Sequence, residues 1–381
     1  MNQMSFLPER LPPPLPAVPI SFSGERHKFL HLVSRGAALE LVTLGFYRFW
    51  LATDIRRHLW ANTIVDGDAA EYTGRGKELL IGFLFAMTIL VPIYLAYFLV
   101  SVEAERLRGF AGVPLVIAFY AFGQFAIYRA RRYRLTRTVW RGVRFWMDGS
   151  GWSYAGRSML WALLVVLTLG LAWPWREAAL ERYKMRHSYY GDLQGSFDGR
   201  GWDFFKEAWW LWLCVPFALV LFPLLPFVYA EFKAVEWRWW LSGLRFGGVR
   251  LHSTLRPAAL FGLYWKLIGW FVALLIAAGV YFWAVTFAAS KLAGSDADEP
   301  ATPDVLFDNI PVLVMVGLGY VALILSLNVV RRLYLLRDMW ARVLGSVEMH
   351  GIEALGNVAA TGDVASALGE GFADGLDVAG F

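Results

Sequence analysis

Along this chain, apolar runs of membrane-spanning length alternate with short segments in which Arg, aromatic residues and Gly are interleaved. Residues 79–100, 112–128, 258–289 and 310–330 are each about long enough to cross a ~30 Å hydrocarbon layer as helices. A bilayer interior offers no water to unpaired backbone groups, so helices are the expected form. Two further apolar stretches do not fit simple crossings. The first, from His27 to Trp50, contains His31, Arg35 and Glu40, and each lipid-facing charge near the bilayer centre costs ~2.5–3.5 kcal/mol on insertion scales. The second, between Gly156 and Trp175, has only about eighteen residues. Both carry the same punctuation five residues before a Trp: Thr43-Leu44-Gly45 with Trp50, and Thr168-Leu169-Gly170 with Trp175. Gly supplies the left-handed backbone that ends a helix. Each stretch is therefore read as a helical hairpin, shallow or re-entrant, whose ends return to one face. The competing reading makes both true spans and gives seven crossings. The stretch 208–231, interrupted by Pro216, Pro223 and Pro226, is either one kinked crossing or a re-entrant loop.

The segments between these runs resemble one another. One copy runs from Trp50 through Arg56 and Arg57 to Asn62, Gly67 and Tyr72-Thr73-Gly74. A second runs from Arg129 to Gly142 and Gly149, and a third from Trp175 through Arg182 and Arg186 to Ser188, Gly191 and Phe197-Asp198-Gly199. Weaker echoes begin near Glu236 and Arg331, which points to an internal repeat. Aromatic-x-Gly triplets flank both hairpins, and short strands there would pair into small sheets on the cytoplasmic side. The fold class expected is an all-α polytopic membrane protein of transmembrane helices and helical hairpins, with small cytoplasmic β-strand pairs in repeated units. Residues 1–20 are expected to be a disordered Pro-rich tail, 21–350 the repeat-built transmembrane domain, and 351–381 a flexible Gly/Ala/acidic tail.

Composition agrees with a membrane class: 57% apolar residues, 17% aromatics and a mean hydropathy of +0.46. Charge sets the expected orientation, because Lys and Arg in short loops are retained inside. Between Arg129 and Arg157 eight Arg stand against the single acid Asp148, so this segment belongs in the cytoplasm. Between Lys291 and Asn309 one Lys faces five acids, which makes that segment the natural outer loop. The Pro-rich start lacks the order of a signal peptide and reads as cytoplasmic. The lone Cys214 excludes an intramolecular disulfide or a multi-cysteine metal site.

Phe22-Ser-Gly, the block Val42-Thr-Leu-Gly-Phe-Tyr-Arg-Phe-Trp50, Asn62-Thr63, Gly67, Tyr72-Thr-Gly and Lys77-Glu78-Leu79 together resemble the YjgN family of multi-pass bacterial inner-membrane proteins. The resemblance runs from about Phe22 to Gly351. It implies placement in the bacterial inner membrane and topology, and assigns no activity, substrate or active residue.

The strongest electrostatic feature is Arg129, Arg131, Arg132, Arg134, Arg137, Arg141 and Arg144. Juxtamembrane basic clusters attract anionic headgroups at ~1 kcal/mol per residue. The cluster is a candidate contact for lipid headgroups or a phosphorylated partner, against the plainer role of topology anchor. Nucleic acid is a poor partner for basic residues at a membrane face. His27 and His31 share a helix face without a third ligand, so no metal is expected. Glu40, Arg35 and Arg48 are expected to pair inside the first hairpin. Gln124 and Asn328 are expected to form interhelical hydrogen bonds, and Lys266 to snorkel. With no nucleophile–base order, phosphate loop or carboxylate pair, no catalytic residue and no cofactor is expected. The reading is a non-catalytic protein that organises lipid or a protein partner at the cytoplasmic face, with a homo-oligomer left open. The alternative is a transporter or channel for a small solute or lipid, using the Thr-Leu-Gly hairpins as re-entrant elements.

Overall fold

The computed structural model describes residues 17–103, 108–221, 225–292 and 310–363. The expected acidic outer loop lies outside the described residues from position 293 onward, as do residues 1–16 and 364–381 of the two tails.

Helices and strands alternate in pairs. The helices are α1 (Arg26–Val42) and α2 (Arg48–Ala61), α3 (Gly76–Glu103) and α4 (Arg108–Thr136), α5 (Gly151–Leu167) and α6 (Trp173–Arg186), α7 (Gly201–Val220) and α8 (Leu225–Gly243), then α9 (Pro257–Leu292) and α10 (Ile310–Arg331). The last continues through a π-helical stretch, Arg332–Asp338, into α11 (Met339–Leu344). Four helical segments, Gly76–Leu99, Gly112–Thr136, Pro257–Lys291 and Ile310–Leu344, are long and apolar enough to cross a membrane. They belong to the two long pairs, α3–α4 and α9–α10, and contain the four clean apolar runs of the sequence.

The strands overturn the all-α expectation. β1 (Ala17–Phe22), β2 (Thr63–Val65), β3 (Asp68–Ala69), β4 (Glu71–Tyr72), β5 (Thr138–Trp140), β6 (Val143–Met147), β7 (Ser188–Tyr190), β8 (Leu193–Phe197), β9 (Leu244–Phe246), β10 (Val249–Ser253) and β11 (Val347–His350) form one antiparallel sheet. Its order is β3-β2-β1-β11-β10-β9-β8-β7-β6-β5-β4. The strand pairs are thus not separate small sheets but staves of one nearly closed barrel, whose two edge strands are joined through Ala70 alone. Strands of two to six residues are too short to imprint a period on the sequence, and their partners are remote: Ala17 pairs with His350. β1 opens inside the segment expected as an N-terminal tail.

Each strand pair turns on residues of positive φ, at Asp66-Gly67, Arg141-Gly142, Gly191 and Gly247. Left-handed backbone at a two-residue turn matches the right-handed twist of the strands it joins. The next connection also recurs. The backbone N–H groups of Ser23, Thr73, Asp148, Asp198 and Thr254 donate to the carbonyls of Asn62, Arg137, His187, Gly243 and Ser346, at 2.9, 2.8, 3.0, 2.9 and 2.9 Å respectively. Every bond ties the exit of a strand to the end of the helix pair that follows it.

The inward face of the sheet is apolar. Phe145 on β6 meets Phe246 on β9 with ring centroids 6.0 Å apart, although β7 and β8 separate the two strands in the sheet. Contact across that interval requires strong curvature. Ile20, Leu244 and Val347 join Met185 and Leu241 from helix ends in the same core, with Val65, Leu251 and Met349 packed against it. Opposite faces of the same strands carry Gln194, Arg245, Arg250 and Glu348, the alternation of a half-buried sheet. Above the sheet the helices stand in chain order, and α1 meets α10 to complete the circuit. Within the second pair, α3 and α4 diverge to leave an apolar cavity of about 380 Å³ lined by Leu90, Tyr94, Phe119 and Phe122.

Candidate functional site

Three features beyond the packed core carry chemistry: the charged belt where helices enter the sheet, the bare tips of the short helix pairs, and a polar groove in the first pair.

The belt contains the Arg run singled out in the sequence, and most of its members are engaged by protein groups. Arg131 reaches across from α4 to Glu181 on α6 at 2.7 Å. Arg137 binds Glu78 through Nε at 3.0 Å and Nη2 at 2.9 Å, and its guanidinium lies over the Tyr133 ring. Arg141 holds Asp66 at 2.7 Å and Asp68 at 2.5 Å. Since Asp68 begins one edge strand and β5 pairs with the other, these bonds close the seam of the sheet. Trp140 Nε1 adds a bond to the Asp68 carbonyl at 3.4 Å. Arg144 donates to the Thr136 carbonyl at 2.6 Å, and Arg129 lies over the Phe125 ring. Arg132 and Arg134 are half-buried on the same helix and also interact within the protein.

Glu181 is the most deeply buried acid of the belt, 4% exposed. Burial alone would raise its pKa, but Arg131 and Lys184 prevail and hold it at about 2. Glu177, one turn earlier, shifts the other way: burial raises its pKa against the opposing pull of Arg176 and Lys184. Arg176 also donates to Ser158 Oγ at 3.2 Å and Tyr120 Oη at 3.3 Å. Ser158 in turn donates to Gln124 Oε1 at 3.0 Å, so Gln124 does bridge two helices. Glu40 pairs not with Arg35 or Arg48 but with Arg332 of the last helix pair, at 3.0 Å. Arg48 instead lies over the Phe49 and Phe83 rings. The expectation of a pair closed within the first hairpin missed the ring closure that brings α1 against the chain's last helices.

The two Thr-Leu-Gly triplets adopt the same turn. Leu44 and Leu169 have φ of +52° and +50°, and Gly45 and Gly170 have +87° and +91°. Thr43 Oγ1 donates to the Leu39 carbonyl and accepts from the Tyr47 N–H; Thr168 does the same with Leu164 and Ala172. The turn leaves Leu44 and Leu169 89% and 91% exposed, with Val42, Phe46, Val166 and Leu167 beside them. Trp50 and Trp175 sit one turn lower, where their backbones receive Gly76 and Gly201. The third short pair ends likewise in exposed Phe217, Val220 and Leu221.

Below the first tip lies a groove of about 690 Å³ between α1 and α2, lined by His31, Arg35, Tyr47, Asp54, Arg57 and His58 among others. Burial, followed by the nearby charges of Arg337 and Lys28, lowers the pKa of His58. Among the described residues no cluster of three or more His, Cys, Asp or Glu could hold a metal. Sequence reasoning named His31 and Arg35 but missed Arg57 and His58 as their neighbours; their signal is the fold-back that Thr43-Leu44-Gly45 imposes.

A search of curated proteins and a search of solved structures return no match. A family profile described as "Bacterial protein of unknown function (DUF898)" matches residues 17–236 and 211–375. The matched segments together cover most of the chain, and the protein belongs to that family, the YjgN family of bacterial proteins.

Proposed function

We propose that the protein is a multi-pass inner-membrane protein, built on one unit repeated five times, that embeds helical hairpins in the cytoplasmic leaflet and organises lipid there without catalysing a reaction. The two long pairs cross the bilayer. Three short pairs dip into it from the side on which the sheet lies. Strands hydrogen-bonded in one sheet cannot lie on opposite sides of a membrane, so every helix pair leaves and returns on the same face. The eight Arg between Arg129 and Arg157 favour the cytoplasm for that face, and the N-terminus with it.

The observation that carries the reading is the exposure of Leu44 and Leu169 at the hairpin tips. In water such tips would be costly, at about 25 cal/mol per Å² of apolar surface. In lipid they are at home. Their reach is limited: between Arg157 and Arg176 lie eighteen uncharged residues, or nine per arm and about 13 Å of helix. Half of a hydrocarbon core is about 15 Å. The apolar part of the first pair, between Glu40 and Arg48, is shorter still.

Two measurements test this. In a Cys214→Ser background, single cysteines at Asn62, Arg141, Ser188 and Ser242 are all expected to be shielded from a membrane-impermeant thiol reagent added outside intact cells. Labelling at any of them, with the variant folded, overturns the one-sided sheet. Nitroxide labels on Leu44→Cys and Leu169→Cys in vesicles are expected to sit in one leaflet, accessible to oxygen and shielded from aqueous nickel chelate, and shallower than a label on Leu95→Cys. Aqueous accessibility at the tips would remove the dipping hairpins.

A further inference from the structure

We propose that the groove between α1 and α2 is a binding site for a phosphate-bearing ligand, held by Arg35, His31, His58 and Arg57. The site rests on the leaflet reading only for the source of its ligand, not for its chemistry.

The argument begins with what the charged groups lack. In the belt, Arg131, Arg137, Arg141, Arg144 and Arg129 each meet a carboxylate, a carbonyl or a ring of the protein. In the groove they do not. Arg35 and His31 have no hydrogen-bond or ion-pair partner among the described residues. The Nε2 of His58 is buried and also lacks one. The partial exception is Arg57, which donates to the Gly74 carbonyl at 2.7 Å and stands 3.6 Å from Asp54. That ion pair is long and exposed, and exposed pairs are worth ~0–1 kcal/mol. Two Arg and two His thus converge on one cavity whose single acid is already shared.

Of these groups only His58 Nε2 is buried without a partner, and a buried polar atom left so is costly; Arg35, His31 and Arg57 are exposed around it and make the groove wall positive. An occupant must accept several hydrogen bonds and carry negative charge. Guanidinium binds phosphate oxygens in a fork of parallel bonds, and imidazole supplies a further donor. A cavity of about 690 Å³ lies within the range of small-molecule sites and exceeds the needs of a bare anion. Its position supplies the rest of the fit. Along α1, Arg35 stands two turns before the apolar tip that begins at Leu41, and on α2 Trp50 is exposed above Arg57. A phospholipid whose phosphate sits on Arg35 has its chains beside that tip. Free phosphate meets the same donors without the chains.

The test uses the full-length protein in neutral detergent micelles. Binding is measured by titration calorimetry with dioctanoyl phosphatidylglycerol, with inorganic phosphate, and with dioctanoylglycerol, which has the chains but no phosphate. Phosphatidylglycerol is expected to bind, with affinity reduced at least about tenfold by Arg35→Gln and by His58→Gln, and largely kept by Arg35→Lys. Phosphate binding with the same dependence on these variants supports the site and identifies free phosphate as sufficient. Dioctanoylglycerol binding as tightly as phosphatidylglycerol, absence of binding by both phosphate compounds, or variants without effect while the protein stays monodisperse would each overturn it. Because the measurement needs no bilayer, failure of the leaflet reading would leave its outcome untouched, and the nitroxide depths above fail or succeed independently.

Discussion

Gly201→Val is expected to disrupt the packing of α7 on α6 and to lower stability by about 3 kcal/mol or more. A Cβ at Gly201 would lie 2.8 Å from both the Cα and the N of Trp175, closer than real contacts allow. The obstacle is backbone, which cannot rotate away as a side chain can. Gly76 meets the Cα of Trp50 at the same 2.8 Å, so Gly76→Val should behave alike. In both places the glycine two residues after an aromatic-x-Gly triplet begins the next helix and lets it touch the preceding one. Two controls separate this from a general intolerance of change. Gly123 lies on α4 with nothing within 4 Å, and Gly123→Ala should be neutral or slightly stabilising. Gly45 is equally open but has φ of +87°, so Gly45→Ala should cost only about 1–2 kcal/mol of backbone strain. Melting midpoints of the detergent-solubilised protein, followed by tryptophan fluorescence, are expected to rank Gly123→Ala above Gly45→Ala above Gly201→Val. A Gly201→Val midpoint equal to that of the parent protein would refute the close approach.

Glu181→Ala should be as damaging for a different reason. Glu181 is the shared counter-ion of Arg131 and Lys184, contributed by two helix pairs. Removing it leaves both largely buried cations facing each other, and breaking a buried pair from one side costs about 3–5 kcal/mol. Glu181→Gln keeps the shape and some hydrogen bonds and should cost less than Glu181→Ala, though still more than a typical surface change. The acid response follows by linkage. The folded protein holds the Glu181 carboxyl at about 2, below the ordinary 4.5 of a free glutamate. A depressed carboxylate contributes stability that is fully present above the unfolded pKa and is lost as pH falls toward the folded one. Between about pH 4.5 and pH 2 the parent protein should therefore lose on the order of 3 kcal/mol through this group. Glu181→Gln, with nothing to titrate, should show a flatter profile over that interval. Parallel pH–melting curves for the two proteins would exclude Glu181 as the source.

Much of the helical framework was legible in the sequence. The four clean apolar runs coincide with four helices of membrane-crossing length. Thr43-Leu44-Gly45 and Thr168-Leu169-Gly170 stand at helix–helix turns, where a side-chain hydroxyl and a left-handed glycine act within a few residues of chain. Gly67, Gly142 and Gly191 mark strand turns for the same local reason. The sheet was not legible as a sheet. β3 and β4 have two residues each, too few to show alternation, and β1 finds β11 only because the helix pairs come round in a circuit.

The Arg run shows the same division at the level of side chains. Its density could be read from composition, and so could its bias to one face. Which acids it meets could not: Glu78, Asp66 and Asp68 lie 59 to 75 residues from their partners in sequence. Glu181 stands fifty residues beyond Arg131. Hydrophobic length, glycine turns and charge bias are properties of neighbouring residues, and the sequence by itself determined those. Sheet closure, the burial of Glu181 and the convergence of His31, Arg35, Arg57 and His58 on one groove are properties of distant segments brought together. Only the tertiary structure decided them, because the free energy of each such contact depends on every other unit of the ring being in place.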